Sequence, residues 1–124
     1  MQNYNSKYKS DLKARCFKFS LAIIDFTDTL PNKTACRIIS DQLLRSSMSI
    51  GANLIEGSAA SSRLEYKKFY EISLKSANET KYWLLLLRDS GLANQLKIEK
   101  LYQEVTELAN MIAAGVLKLK RKNF

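Results

Sequence analysis

The chain has 124 residues, 46% of them hydrophobic, which is the length of one domain and enough apolar content for a core, so a disordered chain is excluded. Four Gly and one Pro favour long helices over a turn-rich β fold. Twenty basic residues against twelve acidic ones give a formal charge of +8. This charge favours an anionic partner, of which nucleic acid is the commonest, although many basic helical proteins bind none. We expect a single domain over residues 1–124.

Composition also bears on chemistry. The chain has no His, the usual general base at neutral pH and the commonest metal ligand. Cys16 and Cys36 lie in apolar helical patterns without metal-ligand spacing, so we expect reduced thiols in a cytoplasmic protein. The sequence contains neither of the glycine motifs that bind nucleotide phosphates, GxxxxGK[ST] and GxGxxG. It also lacks the E-x-x-H motifs that hold two metal ions in some helical bundles. The sequence therefore predicts a protein that is not an enzyme and that holds no cofactor or metal.

The sequence gives no sign of a membrane protein. The first thirteen residues contain no apolar run, so we expect no signal peptide. The longest uninterrupted apolar stretch, residues 82–87, is far too short to span a bilayer.

The first predicted helix begins at Tyr8 and carries an apolar residue at every third or fourth position. Pro31 disfavours helical geometry in the residue before it, so the helix should end near Thr29 or Leu30. The apolar series is Tyr8, Leu12, Cys16, Phe19, Ile23, Phe26 and Leu30.

The second helix is predicted from about Thr34 to Glu56. Gly57 favours a helix end, and Ser62 followed by Glu65 is a capping box, so residues 57–62 should link this helix to the next. Polar residues follow one another along one stripe of the second helix at steps of three or four: Gln42, Arg45, Ser49, Asn53 and Glu56.

The third helix, predicted over Arg63–Ser90, is too apolar for a helix with one buried side. The run Tyr82–Leu87 is apolar nearly all round, which favours self-association through an exposed patch. The alternative is that the first and last helices cover this run completely.

Gly91 and Asn94 mark the next boundary as C-cap and N-cap, and the fourth helix is predicted over Gln95–Arg121. Four helices of similar length with short links predict an all-α protein, an antiparallel up-down-up-down four-helix bundle. In such a bundle Arg45 lies level with Glu79, and we expect a partly buried ion pair between them. The same register places Ser49 level with Ser73, and Asn53 level with Phe69.

The segments RSSMSIGANLIEGS and LEYKKFYEISLKSANETKYWLLLL resemble the four-helix-bundle proteins encoded in the intervening sequences of bacterial 23S ribosomal RNA genes. That family often has Pro where this chain has Gly51. The matching positions are Arg45, Ser49, Ile50, Asn53, Glu56, Gly57, Glu65, Tyr66, Phe69, Ser76 and Glu79.

The resemblance implies an antiparallel bundle that assembles into homopentamers and has no established biochemical role. A protein with a similar fold is the accessory variability determinant of diversity-generating retroelements, a basic pentamer that binds a reverse transcriptase and nucleic acid. That similarity is one of fold and adds a ribonucleoprotein role to the expectations for this chain.

Basic residues crowd both ends of the chain, and an up-down bundle brings these ends together. We therefore predict that they form a surface for RNA or DNA: Lys7, Lys9, Lys13, Arg15, Lys18, Lys118, Lys120, Arg121 and Lys122. Two alternatives stay open. The chain is an adaptor for a nucleic-acid enzyme such as a reverse transcriptase, or, least favoured, a bundle enzyme.

Overall fold

In a computed structural model, the described part of the chain is residues 9–121, with side chains described for residues 11–120. It consists of four helices, and the predicted all-α fold is confirmed. The bounds predicted for the third and fourth helices also agree with the structure. The helices are α1 (Lys9–Thr27), α2 (Thr34–Ser58), α3 (Arg63–Ser90) and α4 (Gln95–Arg121).

The helices pack as a square in cross-section. Each helix contacts the two that neighbour it in the square, α1 with α2 and α4, and α3 with α2 and α4. Within residues 9–121 the diagonal pairs α1 and α3, and α2 and α4, make no such contacts. The centre is filled by apolar side chains from all four helices, among them Ile23, Leu43, Leu84 and Ile112. Each helix therefore has one inward face and one face turned away from the bundle.

The alternating directions of the helices give the molecule two distinct ends. The start of α1, the link at residues 59–62 and the end of α4 lie together at what we call the basal end. The links at residues 28–33 and 91–94 lie together at the distal end. Among residues 9–121 no helix has the combination of length and apolar content needed to cross a bilayer.

The predicted helix caps are present. The Ser62 hydroxyl accepts a hydrogen bond from the Glu65 amide at 3.1 Å, and the Asn94 side-chain oxygen accepts one from the Lys97 amide at 2.9 Å. Gly91 ends α3 in the left-handed conformation, with φ 71°. These boundaries are local in origin, which explains why the sequence located them.

The predicted role of Gly57 as a helix stop is wrong. α2 continues to Ser58, and Gly57 is buried inside the helix. A Cβ atom at this position would lie 3.1 Å from Cβ of Phe69 and 3.3 Å from Cδ1 of Tyr66. Gly57 therefore serves the close approach of α3, because any side chain here would push the two helices apart. α1 also ends earlier than predicted, at Thr27.

Candidate nucleic-acid interface

The structure brings several of the predicted basic residues together at the basal end. Lys13 reaches this end from α1 and is half-buried, while Lys118 and Lys120 reach it from α4 and are exposed. Lys9 and Arg121 are the terminal residues of α1 and α4. Lys7 and Lys122 lie outside the described residues.

Arg15 already has acidic partners. Its Nη2 atom donates to Glu104 at 2.7 Å and to Glu107 at 2.8 Å, and its Nε atom donates to the second oxygen of Glu104 at 3.1 Å. These hydrogen bonds raise the pKa of Arg15 above its ordinary value. These two ion pairs join α1 to α4, so a phosphate would have to compete with two carboxylates for the Arg15 guanidinium. Lys18, by contrast, is exposed on α1.

The start of α3 adds cations that sequence reasoning missed. Arg63, Lys67 and Lys68 lie in its first turns, next to the link that forms part of the basal end. The signal was present in the sequence, since an up-down bundle places the start of the third helix beside both chain ends. The prediction considered only the chain termini and so omitted these three residues.

Charge is distributed unequally between the two ends. Residues 9–13, 56–71 and 118–121, at the basal end, contain eight basic and four acidic residues. Residues 25–41 and 88–100, which form the distal end, contain five of each. Most of the excess positive charge of residues 9–121 is therefore concentrated at one end of the bundle.

The polar stripe of α2 lies against α3 as predicted. Arg45 Nη2 donates to Glu79 Oε2, so the predicted ion pair is formed. The same carboxylate oxygen accepts the Trp83 indole N–H at 2.9 Å, and the Gln42 amide oxygen accepts from Arg45 at 2.9 Å. Glu79 is the more sheltered partner, with its side chain 35% exposed against 56% for Arg45.

Between this pair and the α2–α3 link, further hydrogen bonds show the register of the two helices. Ser49 receives a hydrogen bond from Ser76 at 2.8 Å, and not from Ser73, whose hydroxyl donates to the Ile50 carbonyl at 2.8 Å. Asn53 donates to the Ser49 hydroxyl at 2.9 Å. Ser73, predicted to lie level with Ser49, thus bonds to the next residue along α2, which agrees with the predicted level.

The two cysteine thiols, of Cys16 and Cys36, are buried. Burial raises the pKa of the Cys16 thiol to about 12, far from the range of a reactive thiolate. No group of three or more potential metal ligands occurs among the described residues.

The model of the 23S rRNA-intervening sequence protein family matches residues 9–114, which cover α1, α2, α3 and most of α4. The chain belongs to this family. The chain is also similar to a protein of unknown function from the S23 ribosomal protein family of Bacteroides thetaiotaomicron. The two are 32% identical with a TM-score of 0.79, over 85% of this chain and 97% of the other. None of the curated proteins matches the chain.

The residues that carried the family resemblance have a structural part in the packing of α2 against α3. Arg45, Ser49, Asn53, Ser76 and Glu79 form the hydrogen-bonded seam described above. Ile50 is buried within the same stretch of α2. The other motif residues lie closer to the basal end, where Gly57 packs on Phe69 and Glu65 accepts hydrogen bonds from Ser61, while Glu56 is exposed.

Gly51, where the family often has Pro, also has a packing role. A Cβ atom at this position would lie 3.1 Å from Cβ of Cys16. The absence of a side chain therefore lets α1 approach α2 closely at this level.

Proposed function

We propose that this member of the family is a cytoplasmic, non-enzymatic, oligomeric scaffold that binds RNA or DNA through its basal end. The observation that carries the proposal is the convergence of cations from α1, α3 and α4 on that end, opposite an end where charges balance. Phosphate neutralisation by Lys and Arg supplies most of the sequence-independent affinity of proteins for nucleic acid. The family's name makes ribosomal RNA the first nucleic acid to test.

Two exposed apolar patches support self-association, with the homopentamer of the resembled family as the expected form. The first lies along the groove between α1 and α2. Phe17 is 68% exposed, Leu21 49% and Ile24 38%, at helical steps of four and three. On α2, Met48 and Ile55 flank Gly51, the residue that touches α1, and both are exposed. A contiguous apolar surface of this kind marks a contact site.

The second patch lies on the adjacent side of the bundle. Ile38 is seven residues before Arg45, and Leu86 is seven residues after Glu79. Because Arg45 and Glu79 form an ion pair and α2 and α3 are antiparallel, Ile38 and Leu86 lie at the same height on the two helices. Both are exposed, and Tyr82 beside them is 58% exposed. Two unlike patches on adjacent sides suit a head-to-tail contact, which closes into a ring when it is repeated.

An adaptor for a nucleic-acid enzyme is the second candidate, favoured by the exposed apolar patch along the groove between α1 and α2. If a partner protein binds in this groove, Phe17→Glu should abolish its binding, whereas substitutions at the basal end should not affect it. Titration of a purified reverse transcriptase with both kinds of variant would separate the adaptor from the nucleic-acid scaffold.

Gel-shift titration across a salt series tests the proposed function. The double variant Lys118→Glu, Lys120→Glu reverses two exposed cations at the basal end, and Lys97→Glu, Lys100→Glu reverses two exposed cations at the distal end of the same helix. We expect the basal variant to weaken RNA binding at least tenfold and to reduce the dependence of affinity on salt. Each lost phosphate contact should lower that slope by about 0.7–0.9.

The distal variant should bind RNA as the natural chain does, because its basal cations are intact. It is a matched control, since its net charge changes by the same amount as that of the basal variant. Equal loss of binding in both variants would mean that only net charge matters and would refute a specific basal surface. Absence of binding at low salt would refute the nucleic-acid role altogether.

A further inference from the structure

An open cleft of about 580 Å³ lies at the basal end, between the start of α1, the α2–α3 link and the start of α3. This volume falls within the range of about 300–1,000 Å³ that is usual for small-ligand sites. Aromatic, hydroxyl and cationic groups share its lining, which includes Leu12, Lys13, Ser61, Arg63, Tyr66 and Tyr70.

Two tyrosines form the apolar part of the cleft and are held in place by glycines. Tyr66 and Tyr70 pack edge to face, with ring centroids 5.1 Å apart and planes at 75°. The Tyr66 ring lies against Gly57, and the Tyr70 ring lies so close to Gly115 of α4 that a Cβ atom there would be 2.7 Å from it. The rings are thus fixed before any ligand arrives, which lowers the entropy cost of binding.

The cations of the cleft come from two different helices, Lys13 from α1 and Arg63 from α3. Lys13 makes no ion pair within the described part of the chain, although it is half-buried. The Ser62 hydroxyl already accepts from the Glu65 amide, and the Glu65 carboxylate accepts from the Ser61 amide. Since these groups of the helix terminus are already hydrogen-bonded, recognition of an anion here falls to Lys13, beside Arg63.

We infer that this cleft binds one unpaired nucleotide of a single-stranded RNA or DNA, with the base against Tyr66 and the adjoining phosphate between Lys13 and Arg63. The inference rests on the proposed function and specifies its ligand class. Aromatic side chains bind the flat faces of unpaired bases, and neighbouring cations bind the backbone, in many proteins that hold single strands. A duplex cannot enter in this way, since its base faces are already stacked.

Paired binding measurements on the full chain test the inference. The probes are a ten-nucleotide single strand with a central 2-aminopurine and a duplex of the same sequence. We expect Tyr66→Leu to weaken single-strand binding about tenfold, to abolish the quenching of 2-aminopurine fluorescence and to leave duplex binding unchanged. Lys13→Gln should weaken single-strand binding severalfold while it retains the quenching. Tyr102→Leu is the matched control, because Tyr102 is also half-buried but lies on α4 towards the distal end.

The outcomes separate this inference from the proposed function. If the natural chain binds nucleic acid but Tyr66→Leu and Tyr102→Leu behave alike, the cleft is not the site and the basal surface still stands. Equal weakening of single-strand and duplex binding by Tyr66→Leu also overturns the inference. If no probe binds at low salt, both proposals fail. Ribose and deoxyribose versions of the single strand then identify the preferred sugar.

Discussion

At the scale of single residues, the contact between α2 and α3 depends on hydroxyl groups that have no access to water. Ser46 and Thr80 are both 0% exposed, and their hydroxyls lie 2.9 Å apart. Thr80 also donates to the Ser76 carbonyl at 2.8 Å. Buried hydroxyls are tolerated only when they are hydrogen-bonded, so each of these residues fixes the position of the other.

Thr80→Val should lower the free energy of unfolding by about 1–2 kcal/mol, because the Ser46 hydroxyl would lose its partner on α3. Thr106→Val is the control. Thr106 donates to the Tyr102 carbonyl one turn back but makes no bond to another helix, so its replacement should cost less than about 0.5 kcal/mol. Urea denaturation of both variants measures the difference, and equal effects would disprove a stabilising role for the bridge between the helices.

The Cys16 thiol makes the free energy of unfolding depend on pH in the alkaline range. Burial raises its thiol pKa from 9.0 to about 12. Below pH 9 the thiol is protonated in the folded and unfolded states and adds no pH dependence. Between these values the unfolded chain loses the proton while the folded chain keeps it, so the free energy of unfolding falls as pH rises. The fall due to this group should reach about 2 kcal/mol near pH 10.5.

Urea denaturation between pH 8 and pH 10.5 checks this prediction against Cys16→Ala. The variant lacks the thiol and should lose less stability over the range, even if it starts lower because of a lost packing contact. Parallel pH profiles for the two proteins would show that the Cys16 thiol ionises as easily in the folded chain as in the unfolded one.

At the scale of helices, glycines set how closely neighbours approach. Gly51, Gly57 and Gly115 each lie inside a helix and each faces a side chain of another helix. Glycine inside a helix costs about 1 kcal/mol relative to alanine, so the gain must come from the packing that it permits. Gly115 permits the Tyr70 ring to lie across α4 at the basal end.

Gly115→Ala should destabilise the protein in spite of the better helix propensity of alanine. The new methyl group would lie 2.7 Å from Cε2 of Tyr70, and overpacking of this kind costs about 1–3 kcal/mol. In a Tyr70→Leu background the same change should be stabilising, because the clashing ring atoms are gone. Thermal denaturation of the four combinations tests this, and a stabilising effect in both backgrounds would contradict the prediction.

At the scale of the whole molecule, the surface of the bundle has a basic end and an apolar patch along the groove between α1 and α2. The basal end suits an anionic polymer, and the α1/α2 groove suits a protein surface. The two lie on different parts of the bundle, so assembly through the groove leaves the basal ends free. A ring of copies would repeat the basal cations around one rim, and each added phosphate contact would strengthen binding.

Light scattering should give a mass several times the 14.2 kDa of one chain, and five times for the expected pentamer. Phe17→Glu places a charge in the α1/α2 groove and should reduce the mass to that of smaller species. Leu96→Glu is the matched control, since Leu96 is 67% exposed and Phe17 is 68% exposed, but Leu96 lies at the distal end. A natural chain that is monomeric at all concentrations would refute self-association.

Much of the fold follows from local signals in the sequence. Apolar periodicity located the four helices, and Ser62, Gly91 and Asn94 marked their ends, because caps depend on residues within one turn. The Arg45–Glu79 pair was also predictable, since the short link between antiparallel helices fixes the level at which residues meet. The end of α2 was not, because Gly57 was interpreted as a stop.

The candidate site was predictable only in part. Charge at the chain termini is visible in the sequence, and the topology of an up-down bundle brings Lys13 and Lys118 to the same end. The same topology also brings Arg63 and Lys67 there, although the prediction omitted them. The cleft beside Tyr66 was not predictable, because it depends on how separated segments of the chain pack.

The sequence by itself determined the helices, their order and the total charge, because these depend on near neighbours along the chain and on composition. Only the tertiary structure decided which glycine ends a helix and which permits close packing, since a glycine is identical in both roles until a side chain from another helix lies against it. It also decided that Arg15 is bound to Glu104 and Glu107, while Lys13 lines an open cleft. Such differences arise from distances between residues far apart in the chain, which no local pattern records.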